Sequence, residues 1–421
     1  MKENQNKIDR RNFLKTIGAA GIGSVLASAK SSADSNEPSM PPKAEESEFP
    51  QVPRRKLGKT GVDVPCLSIG LMFNVEDNQI ILKNALKWGI NYWDTANGYA
   101  GGNSEAGIGK YISKNPDVRK DLFIVSKAKT KSVAEVEKMF ELSLKRMNTD
   151  YIDLYFGVHG LSEPAELTDE LRQWVENAKK KKLIRYFGFS THKNMAQALA
   201  AAAKLGWVDA IMTTYNFRLT QDAQMQDAVE ACHKAGVGLV AMKTIAFSSK
   251  ERKLLEAGGS ISSEEDKKVV DYFLKKGFTE EQAKLKVILE DKRISSACVG
   301  MQTITTLTAN VAAVLDKTKL TAADKTILKE YAQATCSGYC AGCASICDSI
   351  LPDTPYTSDI MRYLMYYNSY GEKDMARELF AQIPPDVRAR LLKTDYSLAE
   401  AVCPQRMPIS KLVAEAFSKL A

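Results

Sequence analysis

The strongest constraint on this chain is a rhythm. Eight short runs rich in Val, Ile, Leu and Phe alternate with stretches whose apolar residues fall at helical spacing. The runs occupy residues 66–70, 90–94, 122–127, 153–159, 184–190, 209–214, 237–243 and 296–300. Nearly unbroken hydrophobic runs mark parallel strands buried on both faces. Between them, residues 133–147 place Val136, Met139, Phe140, Leu142, Leu144 and Met147 near a helical period. Eight such units over about 260 residues predict an α/β fold, a (β/α)8 TIM barrel spanning 53–316. A doubly wound open sheet would need a Gly-rich turn after its first strand. Here Gly70 is followed by Leu71-Met72-Phe73-Asn74.

Composition allows a real core, with 44% apolar and 26% charged residues in 421. No apolar run reaches the roughly 18 residues that span a bilayer, so no transmembrane segment is expected. The net charge of +7 is concentrated at the start, where six basic residues face two acidic ones within the first thirty. The remainder is too nearly balanced to form a nucleic-acid groove, so no nucleic-acid partner is expected.

That basic start has its own pattern. Asp9-Arg10-Arg11-Asn12-Phe13-Leu14-Lys15 precedes a mildly apolar stretch, 16–26, and then Ala27-Ser28-Ala29. It resembles a twin-arginine (Tat) signal over residues 1–30, which implies export of the folded chain by the Tat machinery to the periplasm. Residues 31–52 are rich in Ser, Pro and Glu and read as a flexible linker.

In a TIM barrel the chemistry sits where the strands end. Asp94 ends the second strand, Lys127 the third and His159 the fourth, and Tyr99 lies five residues past Asp94. Singly each has a bland explanation: an Asp can cap a helix, and a lone His can be structural. Together they suit hydride transfer to a carbonyl, which needs a proton delivered to the developing alkoxide. A tyrosine hydroxyl can deliver it if a cation stabilises the phenolate. Lys127 supplies that cation, Asp94 holds it, and His159 donates a hydrogen bond to the substrate oxygen. In the oxidative direction Tyr99 is the base.

These residues sit in recognisable company. Tyr92-Trp93-Asp94-Thr95-Ala96 with Tyr99, Ser104-Glu105, Ile108-Gly109, Ser126-Lys127, and Asp153-Leu154 with His159 together resemble the aldo/keto reductase family. The octapeptide RRKLGKTG at 54–61, the run Gly188-Phe189-Ser190-Thr191-His192 and the spacing from Gly300 to Asn310 resemble its opening, fifth-strand end and final cofactor loop. The resemblance implies NADP or NAD lying across the strand ends, with Asp94, Tyr99, Lys127 and His159 as the catalytic tetrad. It implies cofactor contacts from Ser190, Thr191, Tyr215, Lys243, Gly300 and Asn310. Three positions depart from it. Met212 stands where many members hold the carboxamide with Gln, and Met242 where many stack a Tyr. Thr306 stands where an Arg often grips the 2′-phosphate, leaving Lys243 as the candidate substitute.

Beyond the barrel, Cys336, Cys340, Cys343 and Cys347 spell C-x3-C-x2-C-x3-C, and Cys403-Pro404 stands far downstream. Cys66, Cys232 and Cys298 lie in apolar patterns and read as buried small hydrophobes. For the five tail cysteines three accounts compete. Zinc prefers two separated pairs. Disulfides suit an exported chain but leave one Cys over. An iron–sulfur cluster uses close cysteines plus a remote Cys-Pro. The tail resembles the ferredoxin-like extension of one branch of aldo/keto reductases. That implies a small, mainly helical, cysteine-rich domain over 317–421 with one 4Fe-4S cluster on Cys340, Cys343, Cys347 and Cys403, and Cys336 as the alternative ligand. Residues 363–370 are aromatic-rich and read as packing within that tail.

The combined expectation is an exported NAD(P)-dependent oxidoreductase acting on a small carbonyl or alcohol substrate, with a redox partner protein for the cluster. The alternative is a barrel without turnover, serving as a binding or electron-transfer module, which the departures at Met212, Met242 and Thr306 suggest. Residues 246–283 read as a barrel-top loop that selects the substrate.

Overall fold

A computed structural model describes residues 49–130, 132–246 and 264–421. The expected signal 1–30, residues 31–48 of the expected linker, and 247–263 of the expected barrel-top loop lie outside the described residues.

The eight hydrophobic runs form the eight parallel strands of a closed barrel. They are β3 (Leu67–Gly70), β4 (Tyr92–Asp94), β5 (Phe123–Lys127), β6 (Ile152–His159), β7 (Ile184–Thr191), β8 (Ala210–Thr214), β9 (Gly238–Met242) and β10 (Ile294–Gly300). Their C-terminal ends fall within one residue of the sequence expectation. Those ends matter most, because they carry the candidate chemistry.

Alternation along each strand separates two apolar layers. Tyr92, Phe123, Val125, Leu154, Phe156, Ala210, Met212, Val240 and Cys298 fill the barrel interior. Their neighbours Trp93, Ile124, Tyr155, Phe187, Phe189, Ile211 and Ala241 face the surrounding helices. Residues 133–147 form a helix with those bounds, buried through Val136, Phe140, Ser143 and Met147, and Asn148 ends it with a left-handed φ of 48°.

A two-stranded hairpin, β1 (Arg54–Lys56) and β2 (Asp63–Pro65), closes the barrel floor. Sequence reading did not find it, since three-residue strands carry no period. Leu57 and Val64 point into the interior cluster. Arg55 donates to the Ile294 carbonyl at 2.7 Å and Ser295 Oγ to the Lys56 carbonyl at 2.9 Å, both at the entrance of β10. Gly58 lies so close to the start of β9 that a Cβ there would sit 2.2 Å from the Gly236 carbonyl.

Two expected boundaries are corrected. Residues 49–52 are not linker: Phe49 packs edge-on against Trp88 with centroids 5.0 Å apart, and Val52 N–H donates to the Trp88 carbonyl at 2.9 Å. The barrel-top segment is not loop throughout. It contains a helix, Glu264–Lys275, whose Val269 and Phe273 pack with Leu328 and Tyr331 of a later helix, Ala322–Ala334.

Past the barrel the chain is helical, with Ala344–Cys347, Thr357–Ser369, Lys373–Ala381, Pro385–Leu391, Ser397–Val402 and Ile409–Leu420. These helices share a core of Ile360, Leu364, Tyr366, Phe380, Leu391, Ile409, Val413 and Leu420. No helix among the described residues is long and apolar enough to cross a membrane.

The tail is seated on the C-terminal rim of the barrel. Asn194, just past β7, receives the turn between Cys340 and Cys343. Its N–H donates to the Gly342 carbonyl at 2.9 Å, and its Oδ1 accepts from Ser345 N–H at 2.7 Å. Lys193 pairs with Asp359 at 3.0 Å and Asp348 at 3.3 Å. Gly342 has φ +76°, and a Cβ there would meet the His192 carbonyl at 2.1 Å, so only glycine fits this seat.

Candidate active site

Two consecutive strands deliver the first residues. Tyr92 and Asp94 share one face of β4, and Val125 and Lys127 share one face of β5, so the inward parity of the core residues carries Asp94 and Lys127 to the barrel mouth. Both are buried. Lys127 Nζ donates to Asp94 Oδ1 and Oδ2, each at 2.7 Å, and to the Thr95 carbonyl at 2.7 Å. Three protons meet three acceptors, so the ammonium is fixed in position as well as charge.

Tyr99 arrives on a 3-10 turn, Tyr99–Gly102, where Ala100 adopts φ 49°. Lys127 Nζ lies 4.9 Å from the centre of its ring. His159, at the end of β6, meets the same ring edge-to-face, with centroids 5.8 Å apart. The four sequence-predicted residues are thus brought together.

Burial sets their protonation. It pushes the Tyr99 hydroxyl well above the usual tyrosine value, with the Asp94, Cys298 and Glu372 charges adding to the effect. Burial also raises the Asp94 carboxyl, opposed by Lys127. It lowers His159 to about 3, with Lys127 and Lys129 contributing. The set is therefore a protonated phenol, a neutral imidazole and an ammonium–carboxylate pair. It can give a proton, donate a second hydrogen bond and stabilise a phenolate.

Cys298 lies in the interior just beneath, and Cys66 and Cys232 are buried in apolar surroundings, as expected. Glu105 is buried behind the site, where it accepts from Ser126 Oγ at 2.6 Å and pairs with Arg146 at 3.3 Å.

The expected cofactor residues divide. Ser190 faces inward, its Oγ accepting from Gly160 N–H at 3.1 Å. Gly300 ends β10 beside Gly70. Asn310 is buried, with its amide turned back onto the Thr306 carbonyl of its own helix at 2.9 Å. Thr191 and Tyr215 have the opposite parity and do not reach the mouth. Thr191 Oγ1 donates to the Leu161 carbonyl at 2.8 Å, and the Tyr215 hydroxyl to Asp291 at 2.8 Å in the helix layer. Lys243 does reach the rim, but the tail holds it. Glu372 lies 3.5 Å from its Nζ, and the rings of Tyr370 and Tyr366 lie 4.3 and 4.9 Å away. So Tyr366 and Tyr370 pack in the tail core and also border the barrel mouth.

Two residues at the mouth were missed. His192 and Thr214 share parity with Ser190 and Met212, and His192 Nδ1 lies 2.9 Å from Thr214 Oγ1. Counting two beyond each inward residue would have found both.

In the tail, Cys340, Cys347 and Cys403 border the core, and Cys343 caps the helix Ala344–Cys347. Burial pushes the Cys340 thiol up to about 12 and Cys343 to about 11. Charge on Cys403 would raise each further, so these thiols lie within electrostatic reach of one another. Cys336 lies on a separate 3-10 turn, Cys336–Gly338. Free thiols suit an iron–sulfur cluster in chemistry, although Cys340 Sγ donates to the Ser358 carbonyl at 3.8 Å and Cys347 Sγ to Asp348 at 3.7 Å. Among the described residues, however, no group of three or more His, Cys, Asp or Glu is arranged to hold a metal ion. Loading would have to draw the four sulfurs together.

Comparison with known proteins places this geometry. Residues 68–332 match the family model described as the aldo/keto reductase family. An aldo-keto reductase of Schizosaccharomyces pombe, yakc [NADP(+)], is 30% identical over 211 residues, covering 45% of this chain and 60% of that protein. The uncharacterized oxidoreductase YqkF of Bacillus subtilis is 33% identical over 153 residues, covering 33% and 48%. The chain thus spans about half to three fifths of these relatives' length. Among solved structures, the holo form of aldo-keto reductase AKR11C1 from Bacillus halodurans superposes with TM-score 0.54 at 25% identity, covering 67% of this chain and 96% of that one.

Proposed function

The chain belongs to the aldo/keto reductase family, and on that premise we propose that it is an NAD(P)-dependent oxidoreductase moving hydride between a nicotinamide and a small carbonyl or alcohol substrate. The observation that carries this reading is the buried Lys127, held by both oxygens of Asp94 under the ring of Tyr99. The nicotinamide supplies or accepts hydride when bound. The chain's own residues do the rest. Neutral His159 donates to the carbonyl oxygen and orients it. Tyr99 gives that oxygen its proton. Lys127 stabilises the phenolate left behind, and Asp94 keeps Lys127 from following the charge. Ser190 and Gly300 border the path for the nucleotide, and the N-terminus of the helix Ile304–Leu315 offers its free N–H groups to phosphate. With Thr306 in place of a cation, NADP is held with less charge assistance than an Arg would give. The S. pombe relative's NADP(+) label favours NADP here all the same.

Tyr99→Phe tests the reading. Turnover should fall by about 10²–10⁴ while nucleotide affinity holds. Unchanged turnover would overturn it.

We extend the proposal to the two ends of the chain. Residues 1–30 act as a twin-arginine export signal, supported by the Arg10-Arg11 motif and the Ala27-Ser28-Ala29 site. The mature protein is then periplasmic, with a catalytic barrel to residue 316 and a tail from 317. Cys340, Cys343, Cys347 and Cys403 hold one 4Fe-4S cluster, supported by their spacing, the Cys403-Pro404 pair and the place of Cys340, Cys347 and Cys403 against the tail core. One such cluster takes one electron and hydride carries two, so we assign it to bracing the tail on the barrel rim. Anaerobic reconstitution should give about four iron per chain. A visible band unchanged by NADPH is expected, and bleaching would instead point to electron exchange.

A further inference from the structure

Between the barrel rim and the tail runs a narrow cleft lined by His192, Thr214, Lys243, Cys340, Arg362 and Tyr366, with Tyr339, Met365 and Tyr370 beside them. Its lining has three basic side chains and no acidic one. Arg362 is the anomaly. It projects from the helix Thr357–Ser369, its side chain only 13% exposed. Its Nε is buried without a hydrogen-bond partner. Its nearest carboxylate oxygen, on Asp359 one turn earlier, is 3.9 Å away, and Asp359 already pairs with Lys193 at 3.0 Å. A guanidinium carries five donors in a fork shaped for a carboxylate. Burying the Nε–H unpaired costs more than leaving it in water, so a site of this kind implies an acceptor that completes it.

The setting indicates which acceptor. Arg362 faces His192 across the cleft and lowers that ring's basicity, second only to burial, with Lys243 next. His192 in turn feels His159 and Lys127 of the candidate active site. Two cations, Arg362 from the tail and Lys243 from the barrel, therefore flank the neutral His192 next to the reacting centre. Lys243 has Glu372 at 3.5 Å, a loose pair that leaves ammonium protons free.

We propose that Arg362, with Lys243 and His192, forms an anion subsite that receives the carboxylate of an acidic carbonyl substrate. This rests on the reductase reading and narrows it to aldehydes or ketones that carry a carboxylate. It also makes the tail a contributor to substrate selection, since Arg362 comes from outside the barrel. Arg362 is a specificity-determining residue, and the tetrad's chemistry does not depend on it.

The test uses the full chain and matched aldehyde pairs: glyoxylate, succinic semialdehyde and 4-carboxybenzaldehyde, each against an uncharged aldehyde of the same size. The acidic member of at least one pair should be favoured by about tenfold or more in kcat/KM, as a charge-assisted hydrogen bond implies. Arg362→Gln should erase that preference through KM with kcat retained, and Arg362→Lys should restore part of it. Equal kcat/KM within every pair, or a preference that survives Arg362→Gln, overturns the proposal. If no aldehyde is reduced although NADPH binds, the reductase reading has failed, and calorimetric titration with succinate then decides the subsite alone. Succinate binding lost in Arg362→Gln supports it, and identical binding in both proteins overturns it. If Arg362→Gln lowers iron content while aldehyde preference persists, Arg362 is a counter-cation for the tail thiolates, and the substrate role is overturned.

Discussion

The barrel and the tail place their functional residues by opposite means. In the barrel, backbone register does the placing. Once Tyr92 and Val125 face the core, Asp94 and Lys127 must face the mouth, two residues on. In the tail no strand imposes such a rule. Gly342, Lys193 and Asn194 fix the cysteine turn against β7, and the helices meet through scattered aromatic and aliphatic contacts. A site set by register survives many substitutions around it. A site set by docking depends on a few seats and fails when one is blocked.

The sharpest break should come inside the barrel. Lys127→Met strips the buried Asp94 of its partner, and losing one member of such a pair costs about 3–5 kcal/mol. Denaturant titration should show that loss, alongside abolished turnover. If stability is unchanged, the Asp94–Lys127 pair is not what fixes the mouth.

Next comes the seat. Gly342→Ala places a methyl 2.1 Å from the His192 carbonyl and demands a left-handed backbone from a residue that disfavours it. The cost should be about 1–3 kcal/mol, and it should fall on the tail. Limited proteolysis should release the tail earlier while barrel fragments persist. Uniform loss across both regions would show that they fold as one unit and would remove the contrast.

A smaller effect is expected where the regions meet. Glu372→Gln releases Lys243 from its partly exposed pair, a contact worth at most about 1 kcal/mol. The KM for an acidic aldehyde should fall no more than about fivefold. A higher KM would show that Glu372 itself contacts the substrate.

The pH response should be smaller still. Tyr99 stays protonated well above its usual range and His159 stays neutral down to about 3. Carbonyl reduction should therefore be flat between about pH 5 and 9. The C2-proton resonances of His159 and His192 should not move over that range. A histidine whose basicity is lowered by burial destabilises the fold as pH falls below about 6.5, so these two also set an acid limit on stability.

How far the sequence could be read follows the same division. The eight strand ends, and the places of Asp94, Lys127 and His159 on them, were legible because buried parallel strands announce themselves as apolar runs. Thr191 and Tyr215 were misplaced because resemblance named the segment but parity decides the face. His192 and Thr214 were missed for the same reason, although both lie two residues beyond inward-facing positions. The hairpin β1–β2 and the docked residues 49–52 carry too few residues for any period to emerge. The seating of the tail was invisible, since nothing near Arg362, Tyr366 or Glu372 in the chain says which surface they will meet.

The closed floor has a consequence for traffic. With Leu57 and Val64 filling the bottom, and Gly58 pressed against the start of β9, nothing passes through the barrel. If the chain is the reductase we propose, nucleotide and substrate share one doorway, with the tail beside it. Whichever enters deeper must enter first and leave last. The order of arrivals is thereby written into the architecture, and initial-rate patterns with a dead-end nucleotide analogue should display a queue rather than a random exchange.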